Sequence, residues 1–242
     1  MQEMIARLAA LIKDMQRIVF FGGAGVSTES GIPDFRSASG LYNQQTFIAP
    51  ETILSHDFFI ARPSDFFAFY REHMLYLDAT PNAAHRILAK WEIQGKLTAV
   101  ITQNIDGLHQ KAGSRQMFEL HGSVHRNYCM RCGSAYPVTV IAESRDIPRC
   151  PCGGTIKPDV VLYGEGLDER VTAGALQAIR QSDLLIIGGT SLQVYPAAGL
   201  VQGCKGSIVI INMSPTALDY QAQMLITAPI AQTLQAVDAL LL

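Results

Sequence analysis

The chain has 242 residues, of which 48% are hydrophobic and 17% charged, so it can bury the core of one large domain, with or without a small insert. Its formal net charge of −2 gives no electrostatic indication of binding to nucleic acids or membrane surfaces. No apolar run reaches the roughly 18 residues of a membrane span, and residues 1–15 have the pattern of an amphipathic helix rather than of a signal peptide. We therefore expect a cytoplasmic protein with no nucleic-acid or membrane partner.

The first predicted strand leads into a cluster of glycines. Apolar residues recur at helical spacing over residues 2–15, and residues 18–21 form a continuous apolar run that predicts a buried strand. Gly22, Gly23 and Gly25 follow the strand. Such glycines let the backbone turn sharply and approach a pyrophosphate at the N-terminus of the next helix. The cluster alone also fits a tight turn that binds no ligand, because short glycine motifs often occur by chance.

The G-x-G-x-x-G fingerprint of dinucleotide-binding proteins is incomplete in this turn. Gly23 and Gly25 supply its first two glycines, but Thr28 stands in place of the third. A dehydrogenase would have a second strand about 20 residues later, ending in an acidic residue that binds the adenosine ribose. No such strand follows here. The chain instead breaks at residues 31–33 and enters a polar loop at residues 37–40. These features favour a nucleotide site beside a mobile loop over simple hydride transfer.

Residues 41–79 predict a small helical module inserted into the nucleotide-binding fold. The segment has no strand-like pattern, and Pro50 and Pro63 stand where helices would begin, since proline is tolerated at the first position of a helix. Its aromatic residues favour a core of their own over a platform for stacked bases, because no basic residues are interleaved with them. These aromatic residues are Phe58, Phe59, Phe66, Phe67, Phe69, Tyr70 and Tyr76.

Polar side chains follow each of the next two predicted strands. The chain predicts a helix over residues 82–94 and strands over residues 97–102 and 115–120. Ligands of open α/β sheets bind at the carboxyl ends of strands, so we expect a functional site there. A lone histidine is more often structural, but His121 lies at such a strand end, and imidazole titrates near neutral pH, which makes it a candidate general base. The residues that accompany it at the preceding strand end are Gln103, Asn104, Ile105, Asp106 and His109.

Four of the five cysteines form two close pairs. Two residues separate Cys129 from Cys132, one residue separates Cys150 from Cys152, and 17 residues separate the two pairs. This spacing predicts a closed, structural tetrathiolate zinc site and suits a reducing compartment better than disulfides do. The shortened second pair constrains its turn, so we expect the weakest zinc geometry there. The alternative is four free thiols in a loop, with Cys204 too far along the chain to contribute.

The last third of the chain alternates strands and helices. This alternation predicts an α/β fold, a doubly wound parallel Rossmann-like sheet with a small second domain made of the zinc-ribbon module and the helical insert. Gly189, Thr190, Ser191 and Asn212 follow strands of this region, and their amides and hydroxyls suit a ribose or a phosphate. The predicted elements are a strand with a polar loop at 158–165, a helix at 167–182, strands at 183–189, 207–211 and 224–227, and a helix from residue 229.

Taken in order, these segments resemble the sirtuins, the NAD-dependent protein-lysine deacylases, and most of all their compact bacterial-type members. Each motif is weak alone, but together they span residues 17–212 in family order. Gly22 and Tyr163 stand where the family usually has threonine and phenylalanine, and we expect both to be tolerated. The motifs are GAGVS at 23–27, SGIPDFR at 30–36, TQNIDGLH at 102–109, HGS at 121–123, the two cysteine pairs, VVLYGE at 160–165, GTSLQVYPAA at 189–198 and IN at 211–212.

The resemblance implies a site for NAD as co-substrate, one structural Zn²⁺ per chain, and acetyl-lysine proteins or peptides as partners. It implies that His121, Asn104 and Asp106 are catalytic, and that one structural zinc is held by Cys129, Cys132, Cys150 and Cys152. The substrate peptide would pair as an added strand with Val160, Val161, Leu162 and Tyr163. The NAD-binding residues would be Gly23, Ala24, Gly25, Thr28, Phe35, Arg36, Gln103, Asn104, Ile105, Asp106, His121, Gly189, Thr190, Ser191 and Asn212.

The implied reaction cleaves NAD and moves the acetyl group of acetyl-lysine to ADP-ribose, which releases nicotinamide, O-acetyl-ADP-ribose and free lysine. His121 would act as the base on a ribose hydroxyl, while preorganised polar groups would stabilise a cation-like ribose in a site without water. Cleavage of NAD in place of its reduction fits the missing third glycine and the loop that follows it.

One departure bears on the choice of acyl group. Family members that act on succinyl-lysine share a Tyr-x-x-Arg on the inserted helix, and this chain places Phe67 and Tyr70 at those positions. An apolar pocket has nothing to pair with an acidic acyl chain, and burying an unpaired carboxylate is costly. We therefore expect deacetylation over desuccinylation, with longer apolar acyl chains as further candidates.

Two other functions stay open at this point. Protein mono-ADP-ribosyl transfer would use the same cleavage of NAD with a different acceptor. A catalytically silent NAD-binding or zinc-ribbon interaction module is disfavoured because His121, Asn104 and Asp106 are all present. The domain division that follows is a Rossmann-like NAD-binding domain at 1–36, 80–122 and 157–242, a helical module with the cofactor loop at 37–79, and a zinc-binding module at 123–156.

Overall fold

The structure is a computed structural model that describes residues 1–38, 40–43 and 47–241. Ser39, in the polar loop that the sequence predicts, lies outside the described residues. The strands are β1 (Ile18–Gly22), β2 (Leu97–Thr102), β3 (Met117–Glu119), β4 (Gly122–Cys129), β5 (Ala135–Tyr136), β6 (Ile156–Val160), β7 (Leu184–Gly188), β8 (Ser207–Ile211) and β9 (Met224–Ile226). The α-helices are α1 (Gln2–Asp14), α2 (Pro50–Ile53), α3 (His56–Ala61), α4 (Pro63–His73), α5 (Ala83–Ile93), α6 (Leu108–Ala112), α7 (Thr139–Ala142), α8 (Glu169–Gln181) and α9 (Ile230–Asp238).

The main sheet is parallel and doubly wound, which confirms the predicted fold class. Its strands follow the order β3-β2-β1-β7-β8-β9, and every neighbouring pair is parallel. The chain builds outward in one direction from β1 and in the other from β7, so the strand order reverses between these two strands. In open α/β sheets the crevice at such a reversal is where ligands bind.

The two faces of the main sheet carry separate cores. Successive residues of a strand point to opposite faces, and all five residues of β1 are buried. Ile18 and Phe20 pack with α1, α5 and α9 on one face. Val19 and Phe21 pack on the other face with α8 and the short 3₁₀ helix at Ala197–Gly203. Burial on both faces explains why the central strands are continuous apolar runs.

A second, smaller sheet joins β5, β4 and β6 in antiparallel order. Here the structure corrects one prediction, because the segment expected to be a strand at residues 158–165 pairs as β6 only up to Val160. It pairs with β4, Gly122 opposite Val160 and Cys129 opposite Ile156, so it does not belong to the main sheet. The boundary predicted between residues 156 and 157 thus falls inside β6, while the domain division as a whole stays a prediction.

The inserted helices bury most of their aromatic residues in one core, as predicted, but this core also includes Val124, Ile141, Val160 and Leu162 from outside the insert. Pro50 and Pro63 occupy the first positions of α2 and α4. Phe59, Phe66 and Phe67 are almost fully buried and meet edge to face, with ring centroids 4.9–5.8 Å apart. None of the helices in the described part of the chain is long and apolar enough to cross a membrane.

Candidate active site

Two glycine turns meet where the strand order reverses. The N–H of Gly25, in the turn after β1, donates a 2.8 Å hydrogen bond to the carbonyl of Gly189, in the turn after β7. A Cβ on Gly25 would lie 2.8 Å from Cα of Gly189, and Gly189 itself has a φ of +58°. Only glycine fits this close approach, and the two turns border a cavity of about 730 Å³.

This one cavity brings together every residue predicted to contact NAD and all four predicted to contact the peptide. Its lining comes from the loops after β1, β2, β7 and β8, from His121 between β3 and β4, from the segment after β6, from the inserted helices and from the start of α9. The loops after β1, β2, β7 and β8 lie at one edge of the main sheet, because the parallel strands end on the same side. The roles assigned to the individual residues stay predictions. The residues themselves lie around one cavity, as a single site predicted from the sequence requires.

Ser27 connects two of the proposed catalytic side chains. Its hydroxyl donates a 2.6 Å hydrogen bond to Oδ2 of Asp106 and accepts one of 3.1 Å from Nδ2 of Asn104. The backbone N–H of Leu108 donates to the other oxygen of Asp106 at 2.9 Å. Burial raises the pKa of the Asp106 carboxyl, and the bonds from Ser27 and Leu108 oppose that shift. The sequence shows Ser27 only as part of a motif, and its place two residues after Gly25 is the available signal.

The imidazole of His121 is oriented by the backbone. Its Nδ1 lies 2.9 Å from the carbonyl oxygen of Gln103, and because a carbonyl can only accept, Nδ1 carries the proton and Nε2 keeps a lone pair. Burial lowers the pKa of His121, and the bond to Gln103 opposes that shift. The side chain of Gln103 donates in turn to Oγ1 of Thr190 at 2.9 Å, which ties the loops after β2 and β7 together. His121 is therefore neutral at pH 7, as a general base requires.

His109 does not join the site, contrary to its grouping with the polar residues after β2. It is 1% exposed, lies outside the lining of the cavity and packs its ring 4.7 Å from that of His85. Burial lowers the pKa of His85 to about 4 and that of His109 to about 3. The helical turn of α6 carries His109 to the buried side of the loop, which proximity in sequence to Asp106 does not reveal.

Asn82 links this buried histidine pair to the glycine turn. Its backbone N–H donates to Nδ1 of His85 at 3.2 Å and its Oδ1 caps α5 by accepting from Ala84 at 2.9 Å. Its amide also donates a 2.7 Å hydrogen bond to the carbonyl of Val26. The residue that precedes Ser27 is thus held by the start of α5, a role that the sequence did not predict.

The segment predicted to bind the peptide is held by an ion pair between buried Lys157 and half-buried Glu165. Oε2 of Glu165 accepts from the N–H of Leu162 at 2.9 Å and from Nζ of Lys157 at 3.2 Å. Lys157 is 4% exposed and also donates to the carbonyl of Val160 at 2.9 Å. The N–H of Val161 donates to the carbonyl of His121 at 3.0 Å, so the same segment contacts the proposed base. The network around Lys157 and Glu165 was missed, although Glu165 closes a matched motif.

Residues 34–38 and 40–43, in the loop after β1, contact this segment. The ring of Phe35 lies 5.4 Å from that of Tyr42, and the guanidinium of Arg36 lies 5.1 Å from the centre of the Tyr42 ring. The hydroxyls of Tyr42 and Tyr163 are hydrogen-bonded to each other. Burial, aided by that bond, raises the pKa of Tyr42. The loop predicted to lie over a nucleotide therefore contacts the segment predicted to bind a peptide.

The four paired cysteines form a cluster with the geometry of a zinc site. Their sulfur atoms all lie within 4.8 Å of one another, with Cys129 and Cys152 at 3.5 Å and Cys132 and Cys150 at 3.6 Å. A tetrahedron with zinc–sulfur bonds of about 2.3 Å has sulfur–sulfur distances of about 3.8 Å. The shortened second pair thus brings both its sulfurs to the site, and Cys204 takes no part in it.

Comparison with known proteins agrees with this geometry. The sequence profile of the Sir2 family matches residues 23–196, which is more than half of the chain. The chain belongs to the Sir2 family. This Sir2 protein is 54% identical to the NAD-dependent protein deacetylase of Clostridium acetobutylicum, over 96% of this chain and 97% of that protein. It is also 54% identical to the NAD-dependent protein deacetylase of Clostridium perfringens, over 97% of this chain and 98% of that protein.

Solved Sir2 structures share the fold of this Sir2 protein over nearly its whole length. A Sir2 complex with a p53 peptide and NAD⁺ superimposes with a TM-score of 0.87 at 39% identity and covers 97% of each chain. A Sir2 variant with a deacetylated p53 peptide and 3′-O-acetyl ADP-ribose reaches a TM-score of 0.90 at 38% identity, again over 97% of each chain. The predicted resemblance to the sirtuins is thereby confirmed.

Proposed function

We propose that this Sir2 protein is an NAD-dependent protein-lysine deacetylase that transfers the acetyl group of acetyl-lysine to ADP-ribose. One water is consumed, and nicotinamide, O-acetyl-ADP-ribose and deacetylated lysine are the products. One observation carries the proposal: His121, neutral and with Nε2 free to accept a proton, lies where the glycine turns and the peptide segment border one cavity. Two relatives with this activity in their names share 54% of their residues with the chain.

The residues that line the cavity fit a dinucleotide. The glycine turns after β1 and β7 expose backbone to the cavity, and Ser191 and Asn212 follow β7 and β8 along the same edge. Phe35 and Arg36 cover the site from the loop between β1 and α2. When bound, NAD supplies a ribose carbon that loses nicotinamide and accepts the acetyl oxygen.

The polar side chains of the cavity have distinct tasks in this proposal. His121 takes the proton of a ribose hydroxyl at Nε2, while the Gln103 carbonyl holds Nδ1–H and stabilises the imidazolium that forms. Asn104 and Asp106 are held by Ser27, so their dipole and charge are already oriented towards the cavity before any ligand enters. Preorganised groups of this kind need no rearrangement when charge develops.

The substrate peptide lies along residues 160–163 in this proposal, as an added strand. Main-chain hydrogen bonds supply most of the affinity in that mode of recognition, and side-chain pockets supply specificity. The acetyl-lysine side chain then enters the cavity next to His121, because the N–H of Val161 is bonded to the His121 carbonyl.

The zinc site has a structural task and offers no open position for chemistry. Zinc would be held by Cys129, Cys132, Cys150 and Cys152, the first of which ends β4. Strand β4 begins at Gly122, directly after the proposed base, and pairs with β6, which leads into the peptide segment. We propose that the metal fixes the far ends of these strands. Four thiolate ligands also suit the reducing cytoplasm, which we propose as the location.

The proposal is tested by mass spectrometry of an acetyl-lysine peptide incubated with the protein and NAD. Loss of the acetyl group together with formation of O-acetyl-ADP-ribose, both dependent on NAD, is the expected result. An intact acetyl group, combined with transfer of label from biotinylated NAD to a protein acceptor, would contradict it and support mono-ADP-ribosyl transfer. An absence of both products would favour a silent binding module.

A further inference from the structure

Asn82 makes one hydrogen bond that its place at the start of a helix does not require. Its Oδ1 accepts from the N–H of Ala84 at 2.9 Å and so caps α5. Serine and aspartate cap a helix about as well as asparagine does, because capping needs only an oxygen. The side-chain nitrogen of Asn82 instead donates to the carbonyl of Val26 at 2.7 Å, a residue 56 positions earlier in the chain. The amide nitrogen therefore has a task outside the helix.

The peptide group that joins Val26 to Ser27 is held on both sides. Its carbonyl accepts from Asn82, and its N–H, which belongs to Ser27, donates to the carbonyl of Ala24 at 3.0 Å. Val26, Ser27 and Asn82 are all buried, so bulk water does not compete for these bonds. Because a peptide group is planar, the two bonds fix the plane from which the side chain of Ser27 projects.

The side chain of Ser27 connects this peptide group with the cavity. Its hydroxyl donates to Asp106 at 2.6 Å and accepts from Asn104 at 3.1 Å. Ser27, Asn104 and Asp106 all line the cavity, and Asn82 does not. Asn82 thus contacts no ligand in the cavity, and its influence on the reaction has to act through Ser27.

The start of α5 is anchored in the core of the domain. The backbone N–H of Asn82 donates to Nδ1 of His85 at 3.2 Å, and this bond completes the cap of the helix. His85 is fully buried, and its ring packs 4.7 Å from that of His109. Asn82 is therefore fixed in position before any ligand enters the cavity.

We propose that Asn82 is a positioning residue for the cleavage of NAD. It holds the Val26 carbonyl and so sets the direction of the Ser27 hydroxyl. That hydroxyl in turn orients the two proposed catalytic side chains, Asn104 and Asp106. Catalytic groups have to be held to within about 0.5 Å of their productive positions, so a bond that fixes the turn supports the reaction from outside the cavity. This inference rests on the deacetylase function proposed above.

The test measures kcat/KM for NAD, as release of nicotinamide at a saturating concentration of acetyl-lysine peptide, for Asn82→Ser and Asn82→Asp. Both variants keep an oxygen that can cap α5, but the serine side chain is too short to reach Val26 and an aspartate carboxylate has no donor. Each should lower kcat/KM for NAD about 2- to 12-fold, the worth of one hydrogen bond, and leave KM for the peptide unchanged.

The control for a general loss of stability is Asp168→Ala. Asp168 caps α8 by accepting from two backbone N–H groups, and it does not line the cavity. Asp168→Ala should therefore lower the melting temperature and retain the kcat/KM of the wild type for NAD. A fall in kcat/KM equal to that of the Asn82 variants would show that lost stability, and not a lost position, reduces the activity.

A double-mutant cycle tests whether Asn82 acts through Ser27. Once Ser27→Ala has removed the hydroxyl, Asn82→Ser should change kcat/KM for NAD by less than about 2-fold. Effects of the two substitutions that multiply would overturn the proposal, and so would wild-type kcat/KM in either Asn82 variant. Failure of both Asn82 variants to fold would overturn it too, because the role of Asn82 would then be structural. A wild type that releases no nicotinamide in the presence of the peptide would instead reject the proposed function.

Discussion

The hydroxyl of Ser27 donates a 2.6 Å hydrogen bond to Oδ2 of Asp106 and so joins the glycine turn after β1 to the polar loop after β2. The same oxygen accepts from Asn104 at 3.1 Å, and Ser27 is 1% exposed. One buried serine therefore sets the positions of two proposed catalytic side chains. A substitution of Ser27 should therefore lower kcat/KM for NAD and leave the structure of the peptide segment unchanged.

Ser27→Ala should lower kcat/KM for NAD by about 5- to 150-fold, because it leaves a buried carboxylate oxygen and a buried amide short of a partner, at a cost of about 1–3 kcal/mol. Steady-state kinetics at saturating peptide measures this effect. Ser30→Ala is the matched control, since the Ser30 hydroxyl has no hydrogen-bond partner in the described part of the chain. Wild-type kinetics in Ser27→Ala would show that the bond to Asp106 is dispensable.

Glu165→Gln should raise KM for the acetyl-lysine peptide about 5- to 12-fold and leave KM for NAD unchanged. The substitution removes the charge that balances Lys157 and weakens the bond that holds the N–H of Leu162, at a cost of about 1–1.5 kcal/mol. Glu169→Gln, at an exposed position in the first turn of α8, is the control. Equal effects on both KM values would contradict a role confined to the peptide segment.

Removal of zinc should unfold the small sheet and abolish activity. The purified chain should contain one zinc, and Cys152→Ala should lose it together with roughly 6–12 °C of melting temperature, for a loss of about 3 kcal/mol in a domain of this size. Metal analysis and thermal denaturation measure both. Cys204→Ala, which lies outside the cluster, should retain zinc and stability. Full activity of the zinc-free protein would refute the structural role.

Stability should fall as the pH drops below 6.5, because His85 and His109 are buried with pKa values lowered to about 4 and about 3. Between pH 4 and 6.5 the unfolded chain binds protons at these residues and the folded chain does not, so acid favours unfolding. Each histidine contributes on the order of 1.4 kcal/mol per pH unit in that window. Urea unfolding from pH 7.5 to 5 measures the slope. His109→Phe should reduce the slope of unfolding free energy against pH. His125→Gln, at an exposed histidine, should leave the slope unchanged. The same slope in His109→Phe as in the wild type would show that His109 does not cause the loss of stability in acid.

Much of the main sheet could be predicted because its strands are buried on both faces. β1, β2 and β8 are continuous apolar runs, a local pattern that needs no knowledge of the partner strand. The pairing of β4 with β6 could not be predicted in the same way. It is a contact between segments more than 25 residues apart around the cysteine cluster, and no local periodicity encodes it.

The same distinction between local patterns and long-range contacts separates the site residues that could be predicted from those that could not. Residues such as Gln103, His121 and Asn212 could be predicted because parallel strands end at a common edge. The tasks of Ser27 and Lys157 could not, since they depend on which side chains meet once the fold has formed. His109 was misplaced for a related reason: position in the sequence does not show which face of a short helix is buried.

The most direct test measures release of nicotinamide from NAD, with and without an acetyl-lysine peptide, for the wild type and for His121→Ala. The account predicts release that requires the peptide, yields O-acetyl-ADP-ribose in equal amount, and collapses in the variant, whose loss of the base should cost about 10²- to 10⁴-fold. Melting temperatures of the two proteins control for folding. Release that proceeds without peptide, or that His121→Ala leaves unchanged, would contradict the assignment of His121 and the deacetylase function together.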